Sequence, residues 1–161
     1  MQSQNKKYIT GIFLIGALAI LTIVFIFSNQ QNKKKLHDIH NQIDQAFIYQ
    51  IGETESSLNR IDLSEPNDVL REYPKLISQL SAVSALSRLT SYEKENELLN
   101  GSLYSLYIAL LQPENNQEII NTINSDTIQT LRETLKQLHD DPLNNEITKK
   151  IANLSSKLLN K

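Results

Sequence analysis

Residues 8–27, YITGIFLIGALAILTIVFIF, form a run of twenty residues without a charge, broken internally only by the hydroxyls of Thr10 and Thr22. As a helix rising about 1.5 Å per residue, such a run covers roughly 30 Å, the thickness of a bilayer's hydrocarbon core. No other feature constrains the fold as strongly. A helix this apolar needs lipid or a large protein interior around it, and helices buried in soluble cores rarely run so far without a charge. A cleavable signal peptide has a shorter apolar core, about 7–15 residues, followed by a small-x-small site. The residues after this run, Ser28-Asn29-Gln30, offer no such site, and the chain has no Cys to carry a lipid. The segment therefore reads as an uncleaved signal-anchor.

Four regions follow from this reading. Residues 1–7 are a short basic tail, 8–27 a transmembrane helix, 28–35 a basic juxtamembrane segment and 36–161 a helical domain. Lys6 and Lys7 flank one end of the span, and Lys33, Lys34 and Lys35 the other. That near-tie in positive charge leaves orientation open. A short basic tail ahead of a first apolar segment favours a cytoplasmic N-terminus and an extracytoplasmic C-terminal domain. Lys33, Lys34 and Lys35 are candidates for contact with anionic lipid headgroups, each worth about 1 kcal/mol; a plain solvated helix exit is the competing reading. Within the span, Gly11, Gly16, Ala17 and Ala19 include no pair four apart, so a close small-xxx-small helix contact is not expected.

Charge divides the chain. All 18 acidic residues lie in 36–161 with 11 of the 16 basic ones, giving that part a formal charge of −7. An acidic domain with scattered Lys and Arg is a poor nucleic-acid binder. The absence of Cys excludes disulfides and thiolate metal sites, which suits a bacterial cell-envelope domain better than a disulfide-stapled secreted one.

Beyond the span the expected fold is all-α, a bundle of about four to six helices, because apolar residues recur at three and four and Pro and Gly are sparse. The first helix is expected from about Asn32 to Ile61, with Leu36, Ile39, Ile43, Phe47, Ile51, Thr54, Leu58 and Ile61 on one stripe. Asp62 to Asp68 breaks it. A second helix follows, kinked or restarted at Pro74, with Leu76, Leu80, Val83, Leu86 and Leu89 inward. A third is expected from about Tyr92 to Gln112, capped by Thr90-Ser91, or else fused to the second as one rod. Shorter helices are expected over 114–124, 126–139 and 142–160.

Candidate chemistry is thin. His37, His40 and Asp44 share a helical face at spacings that suit a transition metal, but two imidazoles and one carboxylate are a weak set and no metal or other cofactor is expected. His139-Asp140-Asp141-Pro142 fits a helix junction better than an acid–base pair. Glu93, Glu95 and Glu97 fit the positive end of a helix dipole. No nucleophile elbow, zinc-binding or phosphate-loop motif occurs, so an enzyme is not expected. The most apolar stretch outside the span surrounds Tyr104 and Tyr107. These, with Leu103 and Leu111, are the candidate partner or ligand residues, although a central core helix explains them as well. Two functions stand: a membrane-anchored interaction module (scaffold, assembly factor or inhibitor) that binds another membrane or envelope protein, or a membrane-tethered sensor holding a small molecule or lipid between helices.

Overall fold

A computed structural model describes the backbone of residues 2–160 and the side chains of Phe25 and of residues 28–160. Among them there are six α-helices and no strands: α1 Gln2–Arg60, α2 Pro66–Ser87, α3 Leu99–Leu111, α4 Asn116–Thr122, α5 Ser125–Asp140 and α6 Asn145–Leu159, with a 3₁₀ turn at Tyr92–Lys94. The chain divides into two compact units, Met1–Ile39 and His40–Lys161.

In the first unit the side chains of the expected membrane span, residues 8–27, lie outside the described residues apart from Phe25. Among the described residues no helix is long and apolar enough to cross a membrane. Helix α1 runs without a break through Ser28 to Lys35, where no Pro or Gly interrupts it. Leu36 and Ile39 are exposed there, as are Lys33, Lys34 and Lys35.

The second unit is an all-α bundle with one core. The stripe of α1 reaches its interior only from Phe47 onward, where Phe47, Ile51, Thr54 and Leu58 are buried. The helix ends at Arg60, and a turn built on Asp62 follows. Asp62 accepts from the Ser64 N–H at 2.9 Å and the Ser64 hydroxyl at 2.7 Å, which together hold its carboxyl below the ordinary carboxylate range. Pro66 then opens α2, at the first helical position where its missing N–H costs nothing.

Pro74 does not restart α2, which runs through it. The proline sits on the exposed side, while Val69, Tyr73, Leu76, Leu80 and Val83 hold both halves against the core. Burial of each such side chain is worth roughly 2 kcal/mol, enough to offset one missing helix hydrogen bond.

The third helix begins at Leu99, not near Tyr92, and it is not fused to α2. Serine and threonine hydroxyls end α2 by bonding backbone carbonyls: Ser87 to Ser84 and Thr90 to Ser87, both at 2.8 Å. Asp44 of α1 then takes hold of the chain, accepting from the Ser91 N–H at 2.8 Å and the Ser91 hydroxyl at 2.6 Å. Tyr92 packs on Phe47 with ring centroids 6.1 Å apart. Asn96 is fully buried and donates to the Thr148 hydroxyl at 2.7 Å and the Pro142 carbonyl at 3.2 Å, pinning the connection to the start of α6.

Helices α4, α5 and α6 fall close to their expected positions because each begins with an asparagine cap. Asn115, Asn124 and Asn144 accept from the backbone N–H groups of Glu118, Thr127 and Glu146. Helix α5 grips α1 at two places. Arg132 donates twice to the Leu58 carbonyl, at 3.2 and 2.5 Å, near the end of α1. His139 lies over Gly52, where an added Cβ would meet the imidazole at 3.7 Å.

Candidate interaction face

Helix α3 packs chiefly between α2 and α6. Its sequence, LNGSLYSLYIALL, has no charge and no polar face. Leu99, Ser102, Leu103, Leu106, Ala109 and Leu110 are buried. At about 100° per residue, Tyr104, Tyr107, Ile108 and Leu111 lie on a separate arc whose centre is roughly 150° from that of these six buried residues. On this arc Tyr104 is 55% exposed and Leu111 49%, while Tyr107 and Ile108 are half-buried. The two tyrosine rings meet with centroids 6.4 Å apart and planes tilted at 50°. The outer arc is thus an apolar strip at spacing i, i+3, i+4, i+7 on a helix fixed from behind.

That fixation is specific. The Tyr73 hydroxyl of α2 donates to the Leu110 carbonyl, and burial pushes the Tyr73 phenol up to about 12. Asn100 donates to the Ser84 carbonyl and the Ser87 hydroxyl, both at 3.0 Å, satisfying the end of α2. Glu93 accepts from the Asn100 N–H at 3.0 Å and so occupies the start of α3. Glu95 and Glu97 are exposed in the connection before it.

Of the candidate quartet, Tyr104, Tyr107 and Leu111 come together on the outer arc. Leu103 is 1% exposed and points into the core. Ile108 completes the strip; its i+4 spacing from Tyr104 was the available signal for it. Asp44, grouped with His37 and His40 as a candidate ligand, spends its carboxylate on Ser91. Among the described residues no three His, Asp or Glu side chains stand close enough to hold a metal ion.

Hollows open elsewhere on the bundle. One of about 480 Å³ is lined by Asp44, Gln45, Ile48, Tyr49 and Tyr92. Burial, and then the Asp44 charge, raise the Tyr92 phenol above its ordinary value. Another of about 470 Å³ runs between α5 and α6 over Thr127, Thr130, Thr134, Lys150, Asn153 and Lys157. A third, about 430 Å³, lies between Gln112, Glu118, Asn121 and Leu158. Neither Tyr104 nor Tyr107 lines any of these three. No family model matches the chain, and no curated protein or solved structure does either.

Proposed function

We propose that this chain is a membrane-anchored, non-catalytic helical module that docks another membrane or envelope protein on the outer arc of α3. The anchor is the uncharged run 8–27, which places the helical domain beside a bilayer, on the extracytoplasmic side by the basic-tail argument. Lys33, Lys34 and Lys35 then lie within reach of lipid headgroups.

The observation that carries the docking reading is the exposure of Tyr104 and Leu111 on a helix whose opposite face is fully buried. An amphipathic surface helix presents a polar outer face; α3 presents tyrosine, isoleucine and leucine instead. Tyrosine suits a docking face because its ring covers apolar area while its hydroxyl stays wet. Strips at i, i+3, i+4 and i+7 are the recurring way a helix presents anchors to a partner. A ligand held between helices at Tyr104 and Tyr107 fits less well, since these rings lie on the outer side of α3.

A photoreactive side chain at position 104 or 111, activated in native membranes, is expected to yield one discrete adduct with another protein. The same group at exposed Gln129 on α5 is expected to yield none. Equal adducts at all three positions, or none at 104 and 111, would remove the reading.

A further inference from the structure

We infer that the occupant of the α3 outer arc is a cationic amphipathic helix, with apolar residues at three- and four-residue spacing and Lys or Arg at both ends. The inference rests on the docking reading above and adds the partner's chemistry to it.

Negative charge stands on either side of an uncharged strip. From Leu98 to Pro113 the chain carries no charge. Outside those limits stand Glu95 and Glu97 on one side and Glu114 and Glu118 on the other. From Glu95 through Leu131 there is no Lys or Arg at all, against the carboxylates of Glu95, Glu97, Glu114, Glu118 and Asp126. Lys94 is the nearest cation before this stretch and Arg132 the nearest after it. Glu93 and Glu118 are used within the fold, on the Asn100 N–H and on the Glu114 N–H and Asn115 amide. Among the described residues the ion pairs join Arg71 to Asp68 and Glu72, Lys149 to Glu146, and His139 to Asp140. Glu95, Glu97 and Glu114 are exposed and take part in none of them.

The thirteen residues of α3 rise about 20 Å, or about three and a half turns, so these carboxylates flank an uncharged helix that carries the two-turn strip from Tyr104 to Leu111. A partner helix of that length with basic ends satisfies both features, and its Lys or Arg can also settle on the Tyr104 ring. An acidic partner meets like charge at both ends, which costs affinity and encounter rate. The same reasoning turns away a second copy of this chain. Whether two α3 strips met parallel or antiparallel, carboxylates would face carboxylates.

The test uses the full chain in nanodiscs of neutral phosphatidylcholine, so that a basic peptide has no anionic lipid to bind. Three synthetic helices about four turns long serve as probes: a leucine strip with Lys ends, the same strip with Glu ends, and Lys ends with the strip changed to Ser. The first is expected to bind at least about ten-fold tighter than the other two, and to weaken as salt rises through physiological ionic strength. Tyr104→Ser is expected to abolish that binding. The triple variant Glu95→Gln, Glu97→Gln, Glu114→Gln is expected to weaken it roughly three- to ten-fold with circular dichroism unchanged. Glu133→Gln with Asp140→Asn, carboxylates elsewhere on the domain, is expected to leave it alone. If the Glu-ended helix binds as tightly and both are lost in Tyr104→Ser, the docking face stands and the cationic occupant is refuted. Equal binding of the strip-less Lys peptide marks mere adherence to an acidic surface and refutes it too. So does an absence of binding by all three, or self-association of the chain that Tyr104→Ser relieves.

Discussion

Leu103 and Tyr104 are neighbours on α3 with opposite environments, and truncating each in turn separates core from docking face. Leu103 is 1% exposed, so Leu103→Ala removes buried carbons and leaves a cavity between α2, α3 and α6. Losses at such sites run about 2–5 kcal/mol. For a domain of this size each kcal/mol shifts Tm by about 4 °C, so a fall of roughly 8–20 °C is expected. Tyr104 already has 55% of its surface in water, and its ring meets that of Tyr107. Such a ring contact is worth about 0.5–1.5 kcal/mol, and Ser has nearly the helix propensity of Tyr. Tyr104→Ser is therefore expected to lower Tm by no more than about 6 °C. Thermal melts of the full chain in detergent, followed by far-ultraviolet circular dichroism, make the comparison. Equal losses for the two variants would mean that the outer arc is a structural surface. A tolerated Leu103→Ala would mean that α3 is not the centre of the bundle.

Further outcomes follow from other contacts. Asp44→Ala removes both acceptors of Ser91 and is expected to cost about 1–3 kcal/mol; amide hydrogen exchange at Ser91 should quicken selectively, and unchanged exchange there would contradict the anchoring role. The Tyr73 phenol is held up at about 12 by burial, so its folded pKa exceeds the unfolded value of about 10. Its stabilising contribution is then complete below about pH 10 and is lost as pH rises toward 12; Tyr73→Phe should remove that part of the alkaline loss in a pH series of denaturant melts. Because the chain contains no Cys, a single cysteine replacing exposed Lys136 is expected to react with a membrane-impermeant maleimide on intact cells, whereas labelling only after lysis would put the domain on the cytoplasmic side.

Much of the bundle was legible because its signals are local. The apolar three-four pattern located α4, α5 and α6, and the Pro66 break located α2. The start of α3 was not legible, because it depends on partners far away in sequence. Asp44 reaches Ser91 across 47 positions and Asn96 reaches Thr148 across 52, and together they draw residues 88–98 out of the helical path that their propensities allow. The same distance effect made Pro74 look like a break, since burial on the opposite side of α2 is a tertiary fact. On α3, composition marked the apolar stretch but not its sidedness. A helix apolar all round gives no phase, so which of Leu103, Tyr104, Tyr107 and Leu111 face water emerged only with α2 and α6 in place. The chain neighbours of Asp44 include imidazoles and so suggest a metal ligand, whereas its carboxylate bonds Ser91 in a loop far away in sequence.

The most direct test of the docking account is a cysteine footprint of α3. Single cysteines at positions 104 and 111, with 136 as the control, should react with maleimide at similar rates in the purified chain. In native membranes the account predicts slowing at 104 and 111 by at least about five-fold, roughly 1 kcal/mol of protection, with no change at 136. Rates at 104 and 111 as fast in native membranes as in the purified chain would contradict it.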